Sequence, residues 1–323
     1  MRYVPLLVLL VSACSPRTNP PKRWFLGPEL AEISGLGIRD QQVYAHNDSG
    51  DGPFLYRMPI GSAYTERDRI AAAARDYEDL TSDPAGNWYI GDFGNNRRQR
   101  DDLRIYRYHP ATKRTDTIHF TYAFSSQEES YSSGRFSTSA GGGIAADTLA
   151  LVWSQSEAEI LDPQEALVAS MGRQHDCEAM VYLDGQLHLF TKAKAGQRRQ
   201  YWTYHYRLPA QPGYYTAELV DSLYLNHRVV TGADIDSSRN QLLLTSYNYK
   251  QILGFFPTSA SSLIQLSDYS EDRFFEGRVH RRNLSWAVPN QVEAVAYYDD
   301  RFFYIGRERT PLARARIKRK RRF

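Results

Sequence analysis

Five acids recur at matching places along the chain: Glu32, Glu78, Glu178, Asp234 and Glu293. Carboxylates gathered in a partly dry site repel one another strongly enough to raise some of their pKa values or to demand a cation. Such a set offers only oxygens, which suits Ca2+. That ion takes about six to eight oxygen ligands in flexible geometry, and Asn47, Asp92, Asn95 or backbone carbonyls could complete the shell. Zn2+ is poorly served, since no His or Cys cluster occurs at ligand spacing. The alternative is a ring neutralised from within. Lys192 and Arg307 lie at the equivalent place after the second strand, with His46 and His175 near, and buried charges need partners of one sort or the other; Asp48 is a further candidate for the channel or a binding site.

Two other strings are weaker. The run His46-Asn47-Asp48-Ser49-Gly50-Asp51-Gly52 holds a His, an Asp and a Ser. No G-x-S-x-G nucleophile elbow accompanies it, and the composition is that of a turn. Gly91-Asp92-Phe93-Gly94 matches a kinase string, but without the phosphate-binding loop and catalytic set that give the string meaning.

The acids belong to a repeated unit of acid, short strand, turn and second strand. Glu32-Ile33-Ser34-Gly35-Leu36 leads to Val43-Tyr44-Ala45, and Asp76-Tyr77-Glu78-Asp79-Leu80 leads to Trp88-Tyr89-Ile90. Asp176-Cys177-Glu178-Ala179-Met180, Thr231-Gly232-Ala233-Asp234-Ile235 and Gln291-Val292-Glu293-Ala294-Val295 head three further copies. From each acid to the polar residue after the second strand, at Asn47, Asp92, Lys192, Tyr247 and Arg307, the distances are 15, 14, 14, 13 and 14. One gap between acids is about twice the others, and Gly143-Ile144 with residues 148–153 supplies a degenerate sixth copy there. Apolar runs of four to seven residues, rich in Tyr and Phe and bounded by Gly, Asn and Asp, favour strands. Units averaging near 52 residues predict an all-β, six-bladed β-propeller, with five or seven blades as the neighbouring counts. A β-sandwich would not repeat such a unit, and a β-helix would repeat it at a much shorter period. The innermost strands of a propeller line its channel, so the five acids are expected to converge there.

The ends carry different signals. One cation, the apolar residues 5–11 and then Val11-Ser12-Ala13-Cys14 read as a signal peptide over residues 1–13. Those four residues resemble a bacterial lipobox, which implies lipid modification of Cys14, an exported lipoprotein and a periplasmic or outer-membrane location in the cell envelope. Residues 14–28 then form a tether, 29–309 the propeller and 310–323 a basic disordered tail. Residues 314–323 hold seven Lys or Arg and no acid, leaving the body with 32 basic against 37 acidic residues once Arg2 is removed. A mildly acidic body excludes a nucleic-acid-binding face. The expected partners are a membrane, reached through the lipid, and an envelope ligand or protein; the expected state is a monomer. With Cys14 lipidated, Cys177 has no partner.

On these motifs, residues 29–309 resemble a family of exported bacterial β-propeller proteins, and residues 115–172 depart from its pattern. More distantly they resemble six-bladed propellers of the gluconolactonase and paraoxonase kind, a likeness that implies a channel Ca2+ supporting ester or lactone hydrolysis. Two functions follow: a ligand- or protein-binding module, or a Ca2+-dependent hydrolase in which a ring carboxylate acts as base.

Overall fold

A computed structural model describes residues 19–71, 73–123, 175–192, 201–252, 256–284, 291–311 and 313–323. These residues form strands and a few single-turn 3-10 helices, and none of their helices is long and apolar enough to cross a membrane. The strands make five antiparallel units of four. The first is β2 (Ile33–Arg39), β3 (Gln42–Asn47), β4 (Phe54–Pro59) and β5 (Glu66–Arg69). The second is β6 (Tyr77–Ser82), β7 (Trp88–Asp92), β8 (Arg104–His109) and β9 (Arg114–Tyr122). The third comprises β10 (Cys177–Leu183), β11 (Gln186–Thr191), β12 (Trp202–Pro209) and β13 (Gly213–Tyr224). The fourth comprises β14 (Val229–Asp236), β15 (Gln241–Ile252), β16 (Phe256–Ser267) and β17 (Arg278–Asn283).

The fifth unit is assembled from both ends of the chain. Its order is β18 (Val292–Tyr297), β19 (Phe302–Arg307), β20 (Arg316–Arg321) and then β1 (Arg23–Phe25). Two expectations are corrected here: residues 23–25 of the tether and 316–321 of the tail are strands. The cations of β20 had suggested a solvated end. Alternation decides otherwise, because Ile317 is fully buried while its neighbours are only half-buried, and both edges of β20 are paired. Trp24 of β1 meets Tyr304 of β19 edge-on with ring centroids 5.1 Å apart.

The inner strands β2, β6, β10, β14 and β18 open with five buried residues, whereas the outer strands β5 and β17 are mostly exposed. Tight turns set the hairpin registers. Asp40-Gln41 and Asp184-Gly185 each place two residues at positive φ, the conformation whose twist suits a two-residue hairpin.

The inner strands β2, β6, β10, β14 and β18 lie side by side in that order, and β18 returns to β2. Apolar clusters fill the spaces between adjacent sheets, as Ile33, Leu36 and Val43 do with Ala294, Tyr304 and Ile317. Stacking of this kind buries both faces of every sheet, the principle of a propeller. The outermost strands β9 and β13 pair in parallel, so the second and third units join as one eight-stranded sheet curled back on itself. The sixth copy expected at residues 143–153, and most of the departing stretch 115–172, lie outside the described residues, as do the signal peptide and Cys14. Among the described residues no strand separates β6 from β10, which touch directly.

Candidate acidic site at one end of the channel

The register of every inner strand with its second strand shifts at the same place: between Ile33 and Gly35, Tyr77 and Leu80, Cys177 and Ala179, Val230 and Gly232, and Val292 and Ala294. A bulge of one residue re-aims a side chain and is a defined feature of the strand. Five bulges at one position define which residues are equivalent: Ser34, Glu78, Glu178, Thr231 and Glu293.

Of the five candidate ring acids, Glu78, Glu178 and Glu293 stand at the bulge position, and Glu32 and Asp234 do not. Glu32 lies two residues before Ser34, at the exposed rim. Asp234 lies three residues beyond Thr231, where its carboxylate accepts hydrogen bonds from Ile235 N (2.9 Å) and Tyr297 N (2.6 Å) and ties β14 to β18. Burial pushes Asp234 up to about 7. It lines a cavity of about 360 Å3 at the opposite ends of the inner strands, with Arg39, Trp88 and Tyr182. In the ring proper, the two hydroxyls link neighbours: Ser34 Oγ donates to the Glu78 carbonyl, and Thr231 Oγ1 to that of Val292 at 2.8 Å.

The three bulge glutamates are at most 8% exposed, and further acids surround them. Carboxylate oxygens of Asp48, Asp76 and Glu78 lie within 4.8 Å of one another, as do those of Glu78, Asp176 and Glu178. Glu78 is common to both groups, and its Oε1 is buried without a hydrogen-bond partner, as is Asp48 Oδ1. Gly94 makes room for it, because a Cβ there would collide with Glu78 Oε1. Lys192 is the cation at the centre; its Nζ donates to Glu178 Oε1 at 2.6 Å. Arg98 lies near Asp176.

Electrostatics follow from burial and crowding. Burial raises Glu78 well above the usual carboxylate range, and the charges of Glu178 and Asp48 add to it. Glu178 is likewise raised by burial, against the pull of Lys192. Burial and Glu308 push Glu293 up to about 8, while burial and Asp76 push Asp48 up to about 7. Glu308 reaches about 7 through burial and its neighbours Asp48 and Glu32. Burial works against the charge of Lys192, but Glu178, Tyr247 and Glu78 outweigh it and hold the ammonium firmly protonated. A set with more acids than cations has two stable conditions: shared protons, or a bound hard cation.

The remaining expected residues are spent elsewhere. His46 is fully buried against Gly35, and burial lowers it to about 4, so it is a neutral packing residue. His175 bonds with the Tyr206 hydroxyl at 3.2 Å. Asn47 caps the first unit, accepting from Glu32 N (3.2 Å) and donating to Glu29 O (2.7 Å). Asp92 pairs with Arg100 at 3.0 Å and Arg104 at 3.4 Å. Asn95 organises its own loop through Gln99 N (2.8 Å) and Arg100 N (3.0 Å) while its backbone N–H donates to Asp176 Oδ1 at 2.6 Å. Arg307 faces away from the acids, into the groove between the fourth and fifth sheets.

Sequence reasoning missed Asp76, Asp176 and Glu308 as members of the site. The signal was present in the spacing D-x-E at Asp76/Glu78 and Asp176/Glu178, since residues two apart share one face of a strand. It also missed Asp79. That carboxyl, fully buried, accepts from Leu80 N (2.9 Å), from Met180 N of β10 (2.9 Å) and from Ala233 N of β14 (3.0 Å).

No protein-family model matches the chain, and no characterised protein matches it in sequence. Solved structures do. The α-L-arabinanase of Penicillium chrysogenum, complexed with arabinobiose, has a TM-score of 0.47 and 8% identity over 94% of this chain and 99% of that one. The α-L-arabinanase of Cellvibrio cellulosa has a TM-score of 0.42 and 11% identity over 90% of each chain. YCF48 bound to D1 peptide has a TM-score of 0.38 and 9% identity, covering 90% of this chain. The chain spans 65% of the length of that YCF48 structure. These are propeller-type folds. At this similarity neither substrate nor reaction passes from them to this chain.

Proposed function

We propose that the protein is a five-bladed β-propeller that holds Ca2+ among the acids at one end of its channel and serves as a binding module. The blade count rests on five four-stranded units whose inner strands close a ring. The cation rests on one observation: Glu78, buried with an unpartnered oxygen, shared by two groups of three carboxylates within mutual reach. Asp48, Asp76, Asp176 and Glu178 are the further ligands. Lys192, held by Glu178, is a resident counter-charge within the set. In its place in the envelope the module is an exported lipoprotein anchored through Cys14, a reading that rests on the lipobox alone.

Elemental analysis and melting test the cation. Binding only to the folded state stabilises by about 2.7 kcal/mol at about a hundredfold excess over Kd. That is roughly 5 °C for a domain of this size. Chelation is expected to lower Tm by that order, and Glu78→Gln to remove the response. No metal in the purified chain and no effect of chelator would leave a ring neutralised by Lys192 and shared protons. The hydrolase alternative uses the same site and predicts ester or lactone turnover that stops on chelation; binding without turnover supports the module.

A further inference from the structure

The fifth sheet carries a second, oppositely charged site. Residues directly opposite in an antiparallel pair lie on one face. The pairs Arg307 with Arg316, Ile305 with Lys318, Phe303 with Lys320, and Arg23 with Lys318 therefore place five cations on one face of this sheet. The same face carries Phe303 and Ile305, which pack on Leu243 and Leu263 of the fourth sheet, so the cations look into the groove between the two sheets. From the other wall, Arg282 shares a face with Leu263, its register partner, and holds its guanidinium 5.9 Å from the Phe303 ring and 4.1 Å from the Phe323 ring.

The groove thus gathers Arg23, Arg282, Arg307, Arg316, Lys318 and Lys320. Among the described residues none of the six forms an ion pair with an acid, although ion pairs are frequent elsewhere on the surface. Residues 285–291, which connect the two walls, contain no acid. At the base Arg307 is only 8% exposed, and its Nε has no partner. Mutual repulsion is evident. Burial, Lys318, Arg307 and Arg282 push Lys320 down to about 8, and burial and Arg316 push Arg307 down to about 10. A buried guanidinium with an open donor, flanked by uncompensated cations, is costly unless an anion meets it.

We infer that this groove binds a phosphate group carrying more than one negative charge, seated on Arg307 and flanked by Lys318, Lys320 and Arg282. Guanidinium forks match phosphate oxygens in pairs, and the lysines supply point charges at the rim. A singly charged carboxylate would leave most of this charge unanswered. A free phosphate and the phosphomonoester headgroup of phosphatidic acid share this chemistry, and the two sources are separable.

The test uses the full chain with Cys14→Ser, so that no lipid anchor contributes. Pyrophosphate is titrated calorimetrically at low salt, and flotation is measured with phosphatidylcholine vesicles with or without phosphatidic acid, whose phosphomonoester headgroup can carry two negative charges. Binding of pyrophosphate, or selective flotation with phosphatidic acid, is expected, weakened at least about tenfold by Lys318→Gln with Lys320→Gln and unchanged by Lys113→Gln, an exposed lysine on the turn between β8 and β9. Arg307→Gln should abolish it. Should that variant fail to fold, the two rim substitutions carry the test. Pyrophosphate binding without flotation identifies a soluble phosphate, and selective flotation identifies a lipid headgroup. Absence of both, or binding indifferent to the rim substitutions, overturns the proposal.

Discussion

Asp79 offers a direct measure of what holds adjacent blades together. Its carboxyl is the acceptor for three backbone N–H groups on three inner strands, its own and those of β10 and β14. We predict that Asp79→Ala leaves all three donors buried without an acceptor. Each such donor costs about 1–3 kcal/mol. Release of the desolvation burden of the carboxyl offsets part of that sum, so a net loss of about 3–5 kcal/mol is expected. Against a typical total of about 5–15 kcal/mol the variant would be severely weakened. Asp79→Asn retains one acceptor oxygen, enough for the Met180 and Ala233 donors, and turns an amide NH2 toward Leu80 N; about 1–3 kcal/mol is expected. Urea unfolding reads both through the midpoint at constant m. The pH dependence has a definite sign. Burial raises the folded pKa of Asp79 well above its unfolded value of 3.8. Its protonation-linked contribution is therefore complete below about pH 4 and declines as pH rises toward the folded pKa. The deficit of Asp79→Ala should be larger at pH 5 than at pH 8. A loss under about 1 kcal/mol in Asp79→Ala, or an Asn variant weaker than the Ala variant, would refute the bridging argument.

Three further outcomes are expected. Trp24→Ala removes a side chain 7% exposed between β1 and the rest of its sheet, and should cost about 3–5 kcal/mol in chemical unfolding; a near-neutral result would mean that β1 does not secure the fifth sheet. Gly94→Ala should displace the carboxylates of Glu78 and Asp76 and blunt the effect of chelator on Tm while leaving the calcium-free chain folded by circular dichroism, because the obstructed atoms are side-chain ends and not backbone; an undiminished calcium response would remove both residues from the site. Cys14→Ser should abolish incorporation of a fatty-acid analogue, and equal labelling of both forms would end the lipoprotein proposal.

The repeat and its acids were legible because period and polarity survive without knowledge of pairing. What spacing could not show was the bulge. In the first and fourth units the nearest acids, Glu32 and Asp234, stand close to the apolar run, but the equivalent position is held by Ser34 and Thr231. A shift of two or three residues along a strand is invisible in a count of intervals, yet it decides whether a carboxylate enters the ring. Residues 316–321 misled through composition, since alternation around the single apolar Ile317 is a faint signal beside so many cations. The pairing of Trp24 with Ile317 joins distant parts of the chain and leaves no local trace. Asp79 was hidden for a different reason. Its partners are backbone groups, which every residue possesses.

The fifth sheet also imposes an order of events on the nascent chain. Arg23 pairs with Lys318, so β1 waits for β20, which is made after every other described strand. Until residues 316–321 emerge, β19 lacks a neighbour on one side and β1 has no sheet to enter, and the seam of the circle is held only where β18 and β19 pack on β2. Premature termination a few codons before Arg316 would spare every carboxylate of the channel and still deprive the circle of its clasp.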